Sequence, residues 1–192
     1  MAPVGVLDVA WLSFEAARQK AGGGLDGLLG ALTVPVVMRA ARHEDTDGII
    51  GCYLASYDQV LPGVRAHSAE HVRATFEQHC LHGRDVTVAY HLLGMIVGFM
   101  VTSPGLIEQL YIDPAWQHRG IGTGLLDQAK ALQPDDLQLW AFQQNTGARA
   151  FYEGHGFTAV EWTDGADNEE RTPDVRYRWR PVANAVAVAV AV

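Results

Sequence analysis

The stretch LIEQLYIDPAWQHRGIGTGLL, at positions 106–126, constrains the fold of this 192-residue chain more than any other. It begins with a short aliphatic run, Leu106 to Ile112, of the kind that forms a buried strand. Pro114 ends that run, because proline cannot continue the hydrogen-bond ladder of a central strand. Gly120 and Gly122 then precede a helical pattern of leucines and alanines. The sequence therefore predicts a strand, a glycine-containing turn and a helix.

This order of elements predicts an anion-binding site at the turn. The first N–H groups of a helix have no acceptors within the helix, so they are available to a bound anion. Glycine at 120 and 122 lets a phosphate approach the backbone without obstruction by a Cβ atom. His118 and Arg119 can add positive charge. The stretch therefore points first to a phosphate-bearing ligand.

Two common phosphate-binding motifs do not fit this stretch. A Walker-type loop requires GxxxxGK followed by serine or threonine, and the chain contains no such string. A dinucleotide fingerprint that starts at Gly120 requires glycine or alanine where Leu125 stands. It also requires an acidic residue about twenty positions later, and LQLWAFQQN contains none. A flavin or nucleotide oxidoreductase is therefore disfavoured.

Composition and charge narrow the class of partner. The length is that of one domain with a sizeable core. The net charge of -8 argues against a duplex nucleic-acid partner, which requires a basic face. No apolar run reaches the roughly eighteen residues of a membrane span. Cys52 and Cys80 form no CxxC pair, so a reduced, cytoplasmic setting is expected.

Periodicity predicts the remaining elements. Strands are expected at 35–40, 85–90, 95–101, 137–141, 157–162 and 175–179. Helices are expected to begin at Asp45 or Thr46, at Ser68, after Gly122 and at Asn145. The strands at 85–90, 95–101 and 106–112 are expected to form an antiparallel meander. The strand–helix–strand order from 107 to 141 implies a parallel pair.

Two histidine pairs lie near the second helix. His67 and His71 are four residues apart, and His79 and His82 are three apart, so either pair could chelate a metal. No carboxylate or cysteine set accompanies them, and the chain has no HExxH motif. They are interpreted as surface histidines, and no metal site is predicted.

The motif Q-x-x-G-x-G, behind a strand that ends in D-P, is followed by N-x-x-A-x-x-F-Y-x-x-x-G-F at 145–157. This combination resembles the GNAT superfamily of acetyl-CoA-dependent N-acetyltransferases, from about 35 to 179. The resemblance implies an α/β fold of the α+β type: a mixed, mostly antiparallel central sheet with helices on both faces. The parallel strand pair would border the acetyl-CoA cleft. The implied domain spans 35–182, between an N-terminal extension (1–34) and a low-complexity Ala/Val tail (183–192).

The resemblance also implies the site residues. In that family the glycine turn binds the pyrophosphate of coenzyme A, and the central strand and a helix-capping asparagine contact the pantetheine arm. The residues so implied are Leu110, Tyr111, Ile112, Gln117, His118, Arg119, Gly120, Ile121, Gly122, Thr123 and Asn145. Tyr152 matches a tyrosine suited to protonate the departing thiolate. The chain departs at His118, where many members carry glycine, and at Gln117, where some carry arginine.

Acyl transfer to an amine requires a group that removes a proton from the amine. Glu108 is the leading candidate base, and the alternative is that its side chain simply faces solvent from the strand. For Tyr152, the alternative is an aromatic core residue without a catalytic role. A backbone N–H of the central strand, at Leu110 or a neighbour, would polarise the thioester carbonyl. Neither Cys52 nor Cys80 is placed for a covalent acetyl-enzyme, so direct transfer in a ternary complex is expected.

The expected function is transfer of the acetyl group of acetyl-CoA to a primary amine of a small molecule, peptide or protein. The alternative is a non-catalytic acyl-CoA-binding sensor or interaction module with the same fold. The acidic loop from Asp164 to Glu170 either attracts a cationic amine or is simply solvated. The extension is interpreted as a packed or partly ordered segment, with a dimer arm or a cover over the ligand cleft as the alternatives. The terminal strands are candidate elements of a homodimer.

Overall fold

A computed structural model describes residues 35–62, 68–81 and 85–181 of the chain. The predicted extension, the Ala/Val tail, His67 and His82 lie outside these residues, as do the side chains of His79 and Cys80. No helix within the described ranges has the length and hydropathy needed to cross a membrane.

Seven strands of the described chain form one mixed sheet. They are Val36–Ala40 (β1), Asp85–His91 (β2), Met95–Ser103 (β3), Leu106–Ile112 (β4), Leu137–Phe142 (β5), Thr158–Trp162 (β6) and Asp174–Trp179 (β7). Their order across the sheet is β1-β2-β3-β4-β5-β7-β6. The β4–β5 pair is parallel and the other neighbours are antiparallel. The predicted mixed, mostly antiparallel sheet with one parallel pair is confirmed.

Helices cover both faces of this sheet, as predicted. They are Thr46–Val60 (α1), Ala69–Leu81 (α2), Ile121–Leu132 (α3) and Thr146–Gly154 (α4). On one face, α1 and α2 bury Ile49 and Phe76 against Phe99 of β3. On the other face, α3 buries Leu125 against the strands around Leu139. Successive strand residues point to opposite faces, so the alternating strands supply both cores.

The caps of α1 and α2 confirm one prediction and correct another. The Ser68 hydroxyl accepts the His71 N–H at 3.2 Å at the start of α2. Asp45 occupies the N-cap position of α1 but its side chain caps nothing there. Its carboxylate instead accepts from Arg39 of β1 at 2.6 Å and from the Arg42 N–H at 2.7 Å. The pair with Arg39 is bidentate, since a second guanidinium nitrogen donates to the other carboxylate oxygen at 2.8 Å, and this geometry adds energy that a single cap bond lacks.

Two irregularities of β4 create the space for a site. The strand pairs with β5 at Leu106 and Gln138, where the Gln138 N–H donates to the Gly105 carbonyl at 2.9 Å. Beyond that point a cleft separates the two strands. On the β3 side, the register passes from Ile107 directly to Gln109, which places a β-bulge at Glu108. Bulges of this kind re-aim side chains and are common next to active sites.

Candidate active site

A cleft of about 1360 Å³ lies between β4 and β5. Its walls come from α1, the first turn of α3, α4 and the loop between β6 and β7. Pockets for single small ligands usually measure about 300–1,000 Å³. The cleft therefore has room for two substrates side by side.

The glycine turn has the geometry of an anion site. Gly120 is the N-cap of α3 with φ 79°, in the left-handed region that favours glycine. The Gly124 N–H donates to the Gly120 carbonyl at 3.0 Å and begins the helical ladder. The N–H groups of residues 121–123 come before that bond and lie in the helix's electropositive first turn. Gly122 has a second reason to be glycine, because a Cβ atom there would lie 3.3 Å from Cζ of Phe151.

The side chains before this turn contribute less than their charges suggest. Arg119 stacks on Trp116 at 4.8 Å, donates to the Ala115 carbonyl at 3.1 Å and is not part of the cleft wall. The Gln117 amide donates to Gln59 at 3.0 Å. His118 borders the cleft with φ 60°, a strained value for a residue with a Cβ atom. Anion binding at the turn therefore falls chiefly to backbone N–H groups.

The far end of β4 is held by α1. Leu110, Tyr111 and Ile112 all line the cleft, as the resemblance implies. The Ser56 hydroxyl of α1 donates to the Ile112 carbonyl at 2.8 Å. Because β5 has already diverged, the backbone of this part of β4 borders the cleft and offers hydrogen-bonding groups to a ligand.

Asn145, just before α4, and Tyr152, within α4, both line the cleft. The side-chain oxygen of Asn145 accepts the Ala148 N–H at 3.1 Å, which leaves the amide NH₂ for a ligand. Tyr152 is 7% exposed, and burial raises its pKa above the ordinary value of a tyrosine. Its hydroxyl makes no hydrogen bond with another described residue. Tyr152 is thus both a core aromatic residue and a phenol at the cleft wall.

The opposite half of the cleft is acidic. The carboxylates that line it are Glu108, Glu161, Asp164, Asp167, Glu170 and Asp174. No lysine or arginine stands among the described residues of the cleft wall. Glu161 pairs with Arg176 at 2.7 Å, and Asp174 accepts a neutral hydrogen bond from Asn168 at 3.0 Å. The carboxylates thus outnumber the cations at the described cleft wall, which makes this half of the cleft electronegative.

Glu170 lies beside a group of tyrosines of α1 and β4. It accepts a hydrogen bond from the Tyr57 hydroxyl at 3.3 Å. The Tyr53 ring lies 5.4 Å from that of Tyr57 and 5.1 Å from that of Tyr111. Burial, followed by the charges of Glu170 and Glu169, raises the pKa of Tyr53 to about 12. An acidic group beside aromatic rings is an environment suited to a cation.

Sequence reasoning missed part of this acidic half. No signal in the sequence marks Tyr57, Glu161 or Asp174 as a site residue. The sequence shows that Tyr53 and Tyr57 are four residues apart. That these two side chains lie next to the 164–170 loop depends on the fold. Glu161 and Asp174 lie on β6 and β7, and only the strand order brings them to the cleft.

Cys52 fits the expectation of direct transfer. It is 2% exposed in α1, it does not line the cleft, and burial raises the pKa of its thiol to about 12. A thiol of such high pKa is a poor nucleophile at neutral pH, because the thiolate is the reactive form. Among the described residues, no group of three or more His, Cys, Asp or Glu is placed to hold a metal ion.

Comparison with known proteins identifies the architecture. Residues 82–159 match the family model described as "Acetyltransferase (GNAT) domain". The chain is 24% identical to YjaB from Escherichia coli, with a TM-score of 0.60 over 76% of this chain and 97% of that one. It is 18% identical to the PaiA N-acetyltransferase from Thermoplasma acidophilum in complex with coenzyme A, with a TM-score of 0.62 over 76% and 99%.

A third solved structure is YncA from Salmonella typhimurium with its cofactor acetyl-CoA. The chain is 18% identical to it, with a TM-score of 0.59 over 81% of this chain and 99% of that one. No curated protein matches the sequence. At these identities the structural likenesses establish a shared fold, and they confirm the fold implied by the sequence motifs.

Proposed function

We propose that the chain transfers the acetyl group of acetyl-CoA to a primary amine, because residues 82–159 match the model of a GNAT acetyltransferase domain. The observation that carries this proposal is that one and the same cleft contains the N-terminus of α3, which is suited to an anion, and the acidic half, with β4 running between them. We assign residues 35–182 to the catalytic domain and leave 1–34 and 183–192 outside it.

The residues present fit coenzyme A at one end of this cleft. The N–H groups of residues 121–123 would bind the pyrophosphate, with the backbone of Gln117 to Gly120 around them. The backbone of Leu110, Tyr111 and Ile112 and the amide of Asn145 would bind the pantetheine arm. The Leu110 N–H or a neighbour would then polarise the thioester carbonyl, since donors aimed at a developing oxyanion stabilise the transition state. Bound acetyl-CoA would supply the activated acetyl group.

Glu108 is proposed as the base. It is half-buried, it lines the cleft and it lies at the β-bulge of β4, close to where the thioester would be held. An alkylammonium must lose one proton to become a nucleophile and a second after the N–C bond forms. A carboxylate can take these protons directly or through water. One proton finally resides on the thiol that departs when the C–S bond breaks, and the other is released to solvent.

Tyr152 is proposed to act on the departing sulfur. Burial keeps its phenol protonated at neutral pH, because it raises the pKa. A thiol has an ordinary pKa of about 8.5, below that of a phenol at about 10. The phenol therefore stabilises the departing thiolate mainly as a hydrogen-bond donor, and solvent can complete the protonation.

The acidic half of the cleft supports a cationic acceptor. Carboxylates that line a cleft attract a cation and raise its local concentration. Glu170, held by Tyr57 beside the rings of Tyr53 and Tyr111, is the best-placed of these carboxylates to recognise an ammonium group. We propose that the acceptor is positively charged before it binds.

Two further expectations stay predictions. A cytoplasmic location follows only from the cysteine pattern. A homodimer is supported by β6, an edge strand on which Val160 is 47% and Trp162 54% exposed. Exposed edges of this kind are ready to pair with another chain.

Thiol release from acetyl-CoA, measured across a panel of cationic and neutral amines, tests the proposed function. We expect amine-dependent release for cationic amines and a matching amount of acetylated product. A Tyr152→Phe variant serves as the control for release that does not use the site. Binding of acetyl-CoA without release for any amine would contradict the enzyme and support the acyl-CoA sensor.

A further inference from the structure

Thr123 and His155 join the first turn of α3 to the end of α4. Thr123 lines the cleft within the turn assigned to pyrophosphate, and its Oγ1 lies 3.2 Å from Nε2 of His155. His155 follows α4 as its C-cap and does not line the cleft. Any effect of His155 on a ligand in the cleft must therefore pass through a neighbour.

The direction of this hydrogen bond follows from the other ring nitrogen. Nδ1 of His155 lies 2.7 Å from the Phe151 carbonyl oxygen, which can only accept. Nδ1 therefore carries a hydrogen, and in the neutral ring Nε2 is an acceptor. The Thr123 hydroxyl donates to it. This bond fixes the Thr123 side chain and, with it, the third residue of the helix's first turn.

A second contact from α4 holds the neighbouring residue of the same turn. The Phe151 ring packs where a side chain on Gly122 would stand, 3.3 Å from the position of its Cβ atom. The Phe151 ring also packs against the His155 ring, with centroids 4.4 Å apart and an interplanar angle of 47°, and Phe151 supplies the carbonyl that orients the imidazole. Lys130 of α3 donates to the His155 carbonyl at 2.7 Å. His155 is thus tied to both ends of α3.

We propose that His155 is a positioning residue for the pyrophosphate of the cofactor, acting through the Thr123 hydroxyl on the first-turn N–H groups of α3. The inference rests on the proposed function, because it takes this turn to be the pyrophosphate site. Misplacement of N–H donors weakens charge-assisted hydrogen bonds, which depend steeply on distance and angle. The effect should be confined to ligands that carry a pyrophosphate.

The test compares acetyl-CoA with acetyl-pantetheine, which has the same thioester and lacks the pyrophosphate. In both His155→Phe and Thr123→Val, we expect KM for acetyl-CoA to rise about two- to tenfold, the range for one lost hydrogen bond. KM for acetyl-pantetheine and kcat with either donor should change less than about twofold. In the double variant, KM for acetyl-CoA should be no higher than in the more strongly affected single variant, because both changes remove the same bond.

Two matched variants separate positioning from general damage. Thr123→Ser keeps the hydroxyl and should retain the wild-type KM for acetyl-CoA. Thr158→Val removes a hydroxyl that donates to the Arg178 carbonyl at 3.3 Å outside the cleft, and it should change neither KM. If His155→Phe does not fold, Thr123→Val carries the comparison by itself, because it removes the same hydrogen bond from the other side.

Equal rises in KM for both donors would overturn the inference, since they would show a general loss of structure. Effects of His155→Phe and Thr123→Val that multiply in the double variant would also overturn it. Calorimetric titration of the wild-type protein with coenzyme A distinguishes failure of the proposed function from failure of the role of His155. Absence of binding there would overturn the proposed function itself, whereas binding with unchanged KM in the variants would overturn only the role of His155.

Discussion

The cofactor end of the cleft is built mainly from backbone groups, whereas the acceptor end is built from side chains of distant elements. At the first end, the turn at Gly120, the strand β4 and the cap at Asn145 present N–H, C=O and amide groups. At the second end, Tyr57 of α1 meets Glu170 of the β6–β7 loop, 113 residues away in sequence. Substitutions can therefore change the acceptor without disturbing the backbone that binds the cofactor.

The largest expected effect comes from loss of the proposed base, which acts where the acetyl donor and the amine meet. Glu108→Gln removes the proposed base and keeps the side chain's size. We expect kcat to fall by about 10²- to 10⁴-fold, the usual contribution of a general base, with KM for acetyl-CoA unchanged. Steady-state rates above neutral pH measure the loss. A fall of less than about threefold would contradict the role of Glu108.

Tyr152→Phe should have the next largest effect, because it removes the donor to the departing thiolate. We expect kcat to fall by about 10²-fold, comparable to the loss of one transition-state hydrogen bond. Rates with acetyl-CoA and one good amine measure the change. Tyr90→Phe, on β2 and outside the cleft wall, is the matched control and should leave kcat unchanged.

These first variants concern residues that the sequence already singled out, and the reason is local. The Gly120 turn, the Asn145 cap and the end of β4 at Ile112 each depend on neighbours within a few positions. The arrangement of the acceptor end depends on strand order instead, so Glu161, Asp174 and the Tyr57–Glu170 contact could not be read from the letters. The same holds for Thr123 and His155, which lie 32 residues apart.

The predicted side-chain cap at Asp45 is wrong for the same reason, because the partner of Asp45 comes from another element of the fold. Its residue type and place before a helical pattern predicted a side-chain cap. Burial alone would raise the pKa of Asp45, but hydrogen bonds from Arg39 and the Arg42 N–H hold it below its usual value. Arg39 comes from β1, and its approach to Asp45 is a consequence of how β1 packs.

Variants of the acidic loop probe the acceptor end alone. Glu170→Gln should raise KM for a cationic amine about tenfold, because it removes the carboxylate next to Tyr57. Glu169→Gln, one residue away and exposed, should raise it less than about threefold. KM for acetyl-CoA and for a neutral amine should stay unchanged in both. Equal effects of the two variants would show that only the general charge of the loop matters.

The smallest expected effect concerns backbone strain at the cofactor end. His118 has φ 60°, where a residue with a Cβ atom pays roughly 1–2 kcal/mol. His118→Gly should relieve most of this, less the entropy cost of glycine, and raise the free energy of unfolding by about 0.5–1 kcal/mol. Denaturant unfolding measures it. A loss of stability would show that the His118 side chain makes contacts that outweigh its strained backbone.

The initial-velocity pattern of the two-substrate reaction tests most directly whether both ends of the cleft are filled together. Rates are measured with acetyl-CoA varied at several fixed concentrations of a cationic amine. Direct transfer in a ternary complex predicts double-reciprocal lines that intersect. Parallel lines, the pattern of an acetyl-enzyme that forms before the amine binds, would contradict the account.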